Sequence, residues 1–392
     1  MGGPSNSAAG PSSSSTANTK KPPTVPLSAE LISSFRPSKI FKTAEYIQPS
    51  HSFTSLDFDD RGEMCVSSAS DERIQLWNIR SGRHAKVLNS KKYGVNLARF
   101  THSSSTVLYA STKTDDTIRY HSLHDNRYLQ YFRGHKSRVC AIQMNPVNDT
   151  FLSAAVGDTI RLWDLRKADA IAQMPVQGHP TVAYDPSGEV FALGLSERMA
   201  VLLYARKEFT TAPFLVLEIE DDAYLSRISM PPRPANITSL VFSPAAESGH
   251  LLVGTAGDQH YILDTWSNAY KWRLVGHQGL EGVSVSSGAQ SGEGSAGGES
   301  PSEATSGEEL CWSPDGNFVL AGTANGEICV WKIPSKEQAP EPGAEISLEP
   351  IARLKGHSGP VRTLAFSPRS AVLASGGSAA SFWLPPAPSK DE

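Results

Sequence analysis

Seven copies of one unit run through this chain, and that repetition limits its possible folds more than any other feature. Each copy is a short apolar run ending on a large residue, then a polar turn, then a second apolar run closing on small residues. The turns are Phe58-Asp-Asp-Arg-Gly62, Phe100-Thr-His-Ser103, Met144-Asn-Pro146, Tyr184-Asp-Pro-Ser-Gly188, Phe242-Ser-Pro244, Trp312-Ser-Pro-Asp-Gly316 and Phe366-Ser-Pro368. The runs behind them begin near Met64, Val107, Phe151, Val190, Leu251, Phe318 and Ala371, and end on pairs such as Ala154-Ala155 and Ala321-Gly322. A unit of this size cannot bury its apolar face alone, so the copies must stack on one another.

Successive turns lie 42, 44, 40, 58, 70 and 54 residues apart. The first three intervals fit the period of about 40–45 residues found in four-stranded propeller blades. The long intervals have visible causes. Residues 281–309 hold seven Gly, eight Ser and six Glu but no Lys or Arg, the composition of a disordered insertion, and setting those 29 aside brings 70 to 41. A Pro/Glu-rich loop, 335–349, lengthens the last interval, and residues 208–234 lengthen the fourth. A third strand follows each pair, clearest at Ile74-Gln-Leu-Trp77, Thr159-Ile-Arg-Leu-Trp163-Asp164 and Glu327-Ile-Cys-Val-Trp331.

The expected architecture is all-β: a seven-bladed propeller over residues 35–386, with a disordered tail at 1–34 and a short tail at 387–392. The seventh unit ends at Trp383-Leu-Pro-Pro386 with room for three strands only, so Ser38–Ile47 is expected to supply the fourth from the other end of the chain. Such closure removes an open sheet edge.

Gly-His pairs precede the first strands at Gly134-His135, Gly178-His179, Gly276-His277 and Gly356-His357. With the Trp-Asp endings, this series resembles WD repeats over residues 38–385. In blades of that kind a His, a Ser or Thr, an Asp and a Trp tie the strands together, which implies a structural network of His135, Ser153, Asp158 and Trp163 rather than a catalytic triad. The order Gly157-Asp158 reverses the usual Asp-Gly, and His357 has no Asp in Ser378-Ala-Ala380, so the last blade is expected to hold by packing and terminal closure.

Several function classes drop out. The net charge of −4 divides into −6 from residues 281–309 and +2 from everything else, far from the basic surplus of a bulk polyanion binder. No apolar stretch approaches the ~18 residues of a membrane span, and residues 1–26 lack the apolar core of a secretory signal. Cys65, Cys140, Cys311 and Cys329 are isolated, which disfavours a disulfide framework or a zinc site. No phosphate-cradling loop, nucleophile elbow or HExxH is present. No catalytic residue, metal, cofactor or sequence-specific nucleic-acid contact is expected.

The informative polar residues are basic ones beside first strands: Lys91-Lys92-Tyr93 before the second repeat, and Lys136 and Arg138 after Gly134-His135. Loops leading into first strands share one rim of the ring, where Lys and Arg can hold phosphate oxygens and Tyr93 can pack on a peptide. These five are the candidate partner- or phosphopeptide-binding residues.

Phe35-Arg-Pro-Ser-Lys-Ile-Phe41, Lys91-Lys-Tyr-Gly-Val95, Thr117-Ile-Arg-Tyr-His-Ser-Leu-His-Asp-Asn126, Asp149-Thr-Phe-Leu-Ser153, Thr159–Arg166 and Phe382-Trp-Leu-Pro385 go beyond generic repeats. Together they resemble the WD-repeat subunit of the COMPASS histone H3 lysine-4 methyltransferase, shared in fungi with the cleavage and polyadenylation factor. The resemblance implies a non-enzymatic nuclear adaptor. Its partners would be the SET-domain methyltransferase and other COMPASS subunits, the serine-phosphorylated tail of RNA polymerase II, and phosphatase or 3′-end-processing subunits acting in transcription termination. The chain departs from that family's pattern in its degenerate fourth and fifth blades and its acidic insertion. Trp163-Asp-Leu-Arg166 also fits the WDxR sequence of propellers that serve cullin-type ubiquitin ligases as substrate receptors, the rival expectation.

Overall fold

The computed structural model describes residues 26–42, 44–48, 50–228, 235–245, 248–266, 269–281, 307–334 and 346–386. Seven antiparallel sheets form a ring. Their innermost strands are Phe53–Phe58, Asn96–Phe100, Val139–Met144, Thr181–Tyr184, Ile237–Phe242, Leu310–Trp312 and Thr363–Phe366, in blades 1 to 7. Each innermost strand packs against the next, and that of blade 7 against that of blade 1. The chain is a seven-bladed β-propeller.

The turns between first and second strands are built locally. In blade 1 the Asp59 carboxylate accepts the amides of Glu63 and Met64, both at 2.8 Å, and Gly62 takes φ +66°. A Cβ at Gly62 would lie 2.5 Å from Ser367 Oγ, so this turn needs glycine to seat against blade 7. Behind the turns, second and third strands are buried on both faces, whereas outer strands alternate, as in Arg83–Asn89.

The core consists of apolar layers between neighbouring blades rather than one central mass. Leu97, Phe132, Phe151 and Trp163 fill the layer between blades 2 and 3; Trp272, Trp312 and Trp331 fill that between blades 5 and 6. Trp77, Trp163, Trp272, Trp331 and Trp383 are fully buried.

Closure comes from the N-terminal side, with shifted boundaries. Arg36–Phe41 pairs antiparallel with Ala380–Leu384, from Arg36↔Leu384 to Phe41↔Ala380. The expected strand over 38–47 stops at Phe41 because the chain turns at 44–47, placing Tyr46 5.0 Å from Phe41 and 5.8 Å from Trp77. Residues 26–34, assigned to the tail, are ordered. Ala29–Ser33 is a helix whose N-cap Ser28 accepts the Leu31 amide, and Ile32 and Phe35 are fully buried with Leu354 and Trp383. Residues 1–25 and 387–392 lie outside the described residues.

Two further boundaries move. Residues 282–306 and 335–345 lie outside the described residues, but the flanks assigned with them are structured. Ile346–Leu348 adds a fifth strand, parallel to Ala269–Leu274 of blade 5, because Ile346 and Leu348 pack on the layer containing Trp272. Glu308 bridges to Thr363, the Leu364 amide donates to its carbonyl at 2.7 Å, and its carboxylate pairs with Arg99 across the ring.

Candidate functional site

The link from blade 1 into blade 2 is a tight turn over residues 90–94. The Tyr93 and Gly94 amides donate to the Ser90 carbonyl at 3.1 and 2.7 Å, and the Ser90 hydroxyl donates to the Gly94 carbonyl at 3.0 Å. Gly94 has φ +69°, and a Cβ there would lie 1.9 Å from Thr112 Oγ1, so only glycine lets the turn rest on the neighbouring loop. That loop holds it in return. The Tyr93 carbonyl accepts the amides of Thr112 and Lys113 at 3.0 and 2.9 Å, and the Thr114 hydroxyl donates to the Lys92 carbonyl at 3.0 Å. The backbone is fixed while the Lys91 and Lys92 side chains stay exposed.

Arg119 lies against this turn. It is 3% exposed; its Nε donates to Ser111 Oγ at 2.9 Å, and its Nη2 reaches both Asp115 oxygens at 3.1 and 2.9 Å. Its guanidinium carbon is 3.6 Å from the Tyr93 ring centroid, 5.3 Å from that of Tyr131 and 5.6 Å from that of Tyr128. Two further cations flank the rings: Lys92 Nζ is 5.0 Å from Tyr93, and the Arg133 guanidinium carbon is 5.2 Å from Tyr131. Cation–ring attraction, with the Asp115 clamp, makes a continuous strip from Lys92 to Arg133.

The link from blade 2 into blade 3 carries the other candidates, anchored from below. His135 Nδ1 is 3.1 Å from Asp158 Oδ2, His135 Nε2 is 2.6 Å from Ser153 Oγ, and Trp163 Nε1 donates to Ser153 Oγ at 2.8 Å. A carboxylate only accepts, so Nδ1 carries the proton, Nε2 accepts the Ser153 hydrogen, and every polar atom of the chain is satisfied by a neutral imidazole. Burial lowers the His135 pKa, consistent with that neutral form. Burial pushes Asp158 up, but bonds from the Lys136 amide and His135 outweigh it and leave its carboxyl lowered. The reversed Gly157-Asp158 order therefore does not keep the carboxylate from its partner, and the Lys136 amide is held by the same oxygen at 3.2 Å. Lys136 and Arg138 project from this fixed loop, exposed. Asp116 lies within electrostatic reach of Arg138; burial, and then the neighbouring Asp115, raise its pKa.

Blade 7 repeats the pattern without an acid: His357 Nε2 and Trp383 Nε1 each lie 2.6 Å from Ser375 Oγ. Packing and terminal closure are thus joined there by a three-residue chain of hydrogen bonds.

The structure places Lys91, Lys92, Tyr93, Lys136 and Arg138 on two adjacent links at the same end of the ring. Sequence reasoning missed Arg119, Tyr128, Tyr131 and Arg133, which join them. The available signal was three tyrosines and three arginines on the last two strands of one blade, Ile118–Ser122 and Arg127–Phe132, and the link behind them. Arg166 lies at the opposite end of blade 3 from His135. Its side chain is 74% exposed yet fixed by Asp164, with Nε and Nη2 each 2.9 Å from a carboxylate oxygen. Those bonds hold the Asp164 carboxyl below the usual range. Among the described residues no group of three or more His, Cys, Asp or Glu could hold a metal ion, and no helix is long and apolar enough to cross a membrane.

The family described as WD domain, G-beta repeat, matches residues 42–78, 126–164, 309–332 and 348–380. WD repeat-containing protein 82 of Drosophila melanogaster is 31% identical over 91% of this chain and 96% of its own length. Set1 complex component swd2 of Schizosaccharomyces pombe is 35% identical over 80% of each chain. COMPASS component SWD2 of Saccharomyces cerevisiae is 33% identical over 74% of this chain and 80% of its own. At 31–35% identity over 74–91% of its length, the chain belongs to the WD-repeat family of COMPASS component Swd2 and WD repeat-containing protein 82.

Proposed function

We propose that this chain is a non-catalytic adaptor subunit of a COMPASS-like histone H3 lysine-4 methyltransferase complex in the nucleus. It would hold the SET-domain subunit and its partners together and connect them to chromatin and transcribing RNA polymerase II through that enzyme's serine-phosphorylated tail. Sharing with 3′-end-processing, phosphatase or termination machinery belongs to the same reading. One observation carries the polymerase connection: Lys91, Lys92, Lys136 and Arg138 are exposed on two hydrogen-bonded links, and none forms an ion pair with a described carboxylate. Exposed cations carried on a fixed backbone next to an aromatic ring suit a phosphorylated peptide. A rigid ring with functional loops also serves assembly without a catalytic pocket.

Two measurements test this. Purifying the tagged protein from nuclei should recover methyltransferase subunits; recovering none would refute the assignment. Lys91→Glu combined with Arg138→Glu should weaken a phosphorylated polymerase-tail peptide with the melting curve unchanged; unaltered affinity by titration would remove the rim from the site. The fixed, exposed Arg166 favours the second reading, a cullin-ligase substrate receptor. That reading requires the same purification to yield a ligase adaptor that Arg166→Ala abolishes.

A further inference from the structure

The two basic links are separated by a platform whose arginine is already matched, with the partly buried Asp116 within electrostatic reach of Arg138. Arg119 lies between them, but its guanidinium is 3% exposed and committed to Asp115 and Ser111. What this middle presents is ring surface, Tyr93 and Tyr131, both half-buried. On one side stand Lys91 and Lys92; on the other stand Arg133, Lys136 and Arg138, all exposed and without an ion pair to a described carboxylate. The rings of Tyr93 and Tyr131 lie between the two sides, an arrangement that suits two separate anionic groups.

Resting on the proposed phosphopeptide reading, we infer that the rim holds two phosphate subsites and that its ligand is an extended peptide carrying two phosphorylated residues. The first phosphate is taken by Lys91 and Lys92. The second is taken by Arg133, Lys136 and Arg138, with Arg133 offering the planar donor pair that suits phosphate oxygens. The intervening peptide lies across Tyr93 and Tyr131, where apolar or proline side chains find ring faces backed by an arginine already paired with Asp115. Arg119 acts through Tyr93: stacked at 3.6 Å and clamped by Asp115, it keeps the ring as floor rather than lid.

The arrangement also dictates how affinity depends on the ligand. Once one phosphate is seated, the second binds intramolecularly, at an effective concentration set by the chain between them. Too short a spacer cannot span the platform, because an extended chain covers only about 3.3 Å per residue. Too long a spacer dilutes the second group. Affinity should therefore peak at one spacing rather than rise with total charge.

The test uses the full chain and synthetic peptides with one phosphoserine, or with two separated by about one to eight residues of spacer, followed by fluorescence anisotropy at physiological salt. At the best spacing the doubly phosphorylated peptide should bind at least about tenfold tighter than the singly phosphorylated one. Lys91→Glu with Lys92→Glu should abolish that gain, and Lys136→Glu with Arg138→Glu should abolish it equally; all four residues are exposed, and an unchanged melting curve verifies folding. Equal binding of the two peptide classes overturns the two-subsite inference and leaves a single-phosphate rim. A gain independent of spacing, or one that survives either pair of substitutions, overturns it as well. Failure of every peptide to bind removes the phosphopeptide reading itself.

Discussion

Ser153 is the hub of the blade-3 network, and replacing it with alanine isolates what one buried hydroxyl holds. Its oxygen accepts the Trp163 indole N–H at 2.8 Å, its hydrogen serves His135 Nε2 at 2.6 Å, and the residue is fully buried. Ser153→Ala removes no carbon and leaves almost no cavity, so packing contributes little to the loss. It leaves two buried polar atoms without partners, each costing about 1–3 kcal/mol. The expected destabilisation is about 2–6 kcal/mol, measured by urea unfolding followed through tryptophan fluorescence. An unfolding entropy of about 2.1 cal/mol/K per residue over the roughly 310 described residues converts this to a fall in melting temperature of about 3–9 °C. A double-mutant cycle sharpens the reasoning: in a Trp163→Phe background the indole N–H is gone, so Ser153→Ala should cost about 1–3 kcal/mol less than in the wild type. A loss below about 1 kcal/mol, or the same loss in both backgrounds, would refute the claim that the hydroxyl bridges the two rings.

Two further perturbations probe the ring. His277 is buried beside His260, with ring centroids 4.1 Å apart, and burial pushes its pKa down to about 4. The unfolded chain takes up this proton near pH 6.5 and the folded chain does not, so stability is lost as pH falls from about 6.5 to about 4, reaching about 2 kcal/mol by pH 5. The stability difference between wild type and His277→Gln should shift by about that amount between pH 7 and pH 5; a constant difference would contradict it. Deleting residues 26–41 removes the closing strand with Ile32, Phe35 and Phe41, each buried and worth about 1.5–3 kcal/mol. The melting temperature should drop sharply, and an unchanged melt would show that blade 7 needs no fourth strand.

Much of this architecture was legible because each blade carries its own signals. Turn residues, period-two strands and terminal tryptophans act within about 40 residues, so seven blades and closure from the N-terminal side follow from local pattern. The blade-3 network was legible for the same reason, since His135 and Trp163 are neighbours within one repeat. What escaped depends on contacts between repeats. Ile346–Leu348 sits in a Pro/Glu-rich stretch, and only the apolar layer of blade 5 makes it a strand. Ile32 and Phe35 look like isolated apolar residues beside a polar tail until blades 6 and 7 present a surface for them. The platform around Arg119 was hidden because its tyrosines read as ordinary strand residues; their shared cation appears only when third and outer strands are paired, Arg119 opposite Tyr131.

The acidic insertion shows most clearly why composition alone misassigns a boundary. Glu308 and Glu309 are the last of six glutamates in a Gly/Ser-rich run, and by composition they belong with the other four. A carboxylate buried alone would be prohibitively unfavourable, so a compositional argument has no reason to place it inside. Its neutralising partner, Arg99, lies 209 positions away on the innermost strand of blade 2, while Asp57 of blade 1 approaches the same guanidinium. One arginine thus faces two acids, and burial pushes Asp57 up to about 7 despite the favourable pull of Arg99. The charge is tolerable only because the ring has closed and brought blades 1, 2 and 6 together. The end of the insertion is therefore fixed by a product of folding, and a boundary fixed in that way has no local signature to read.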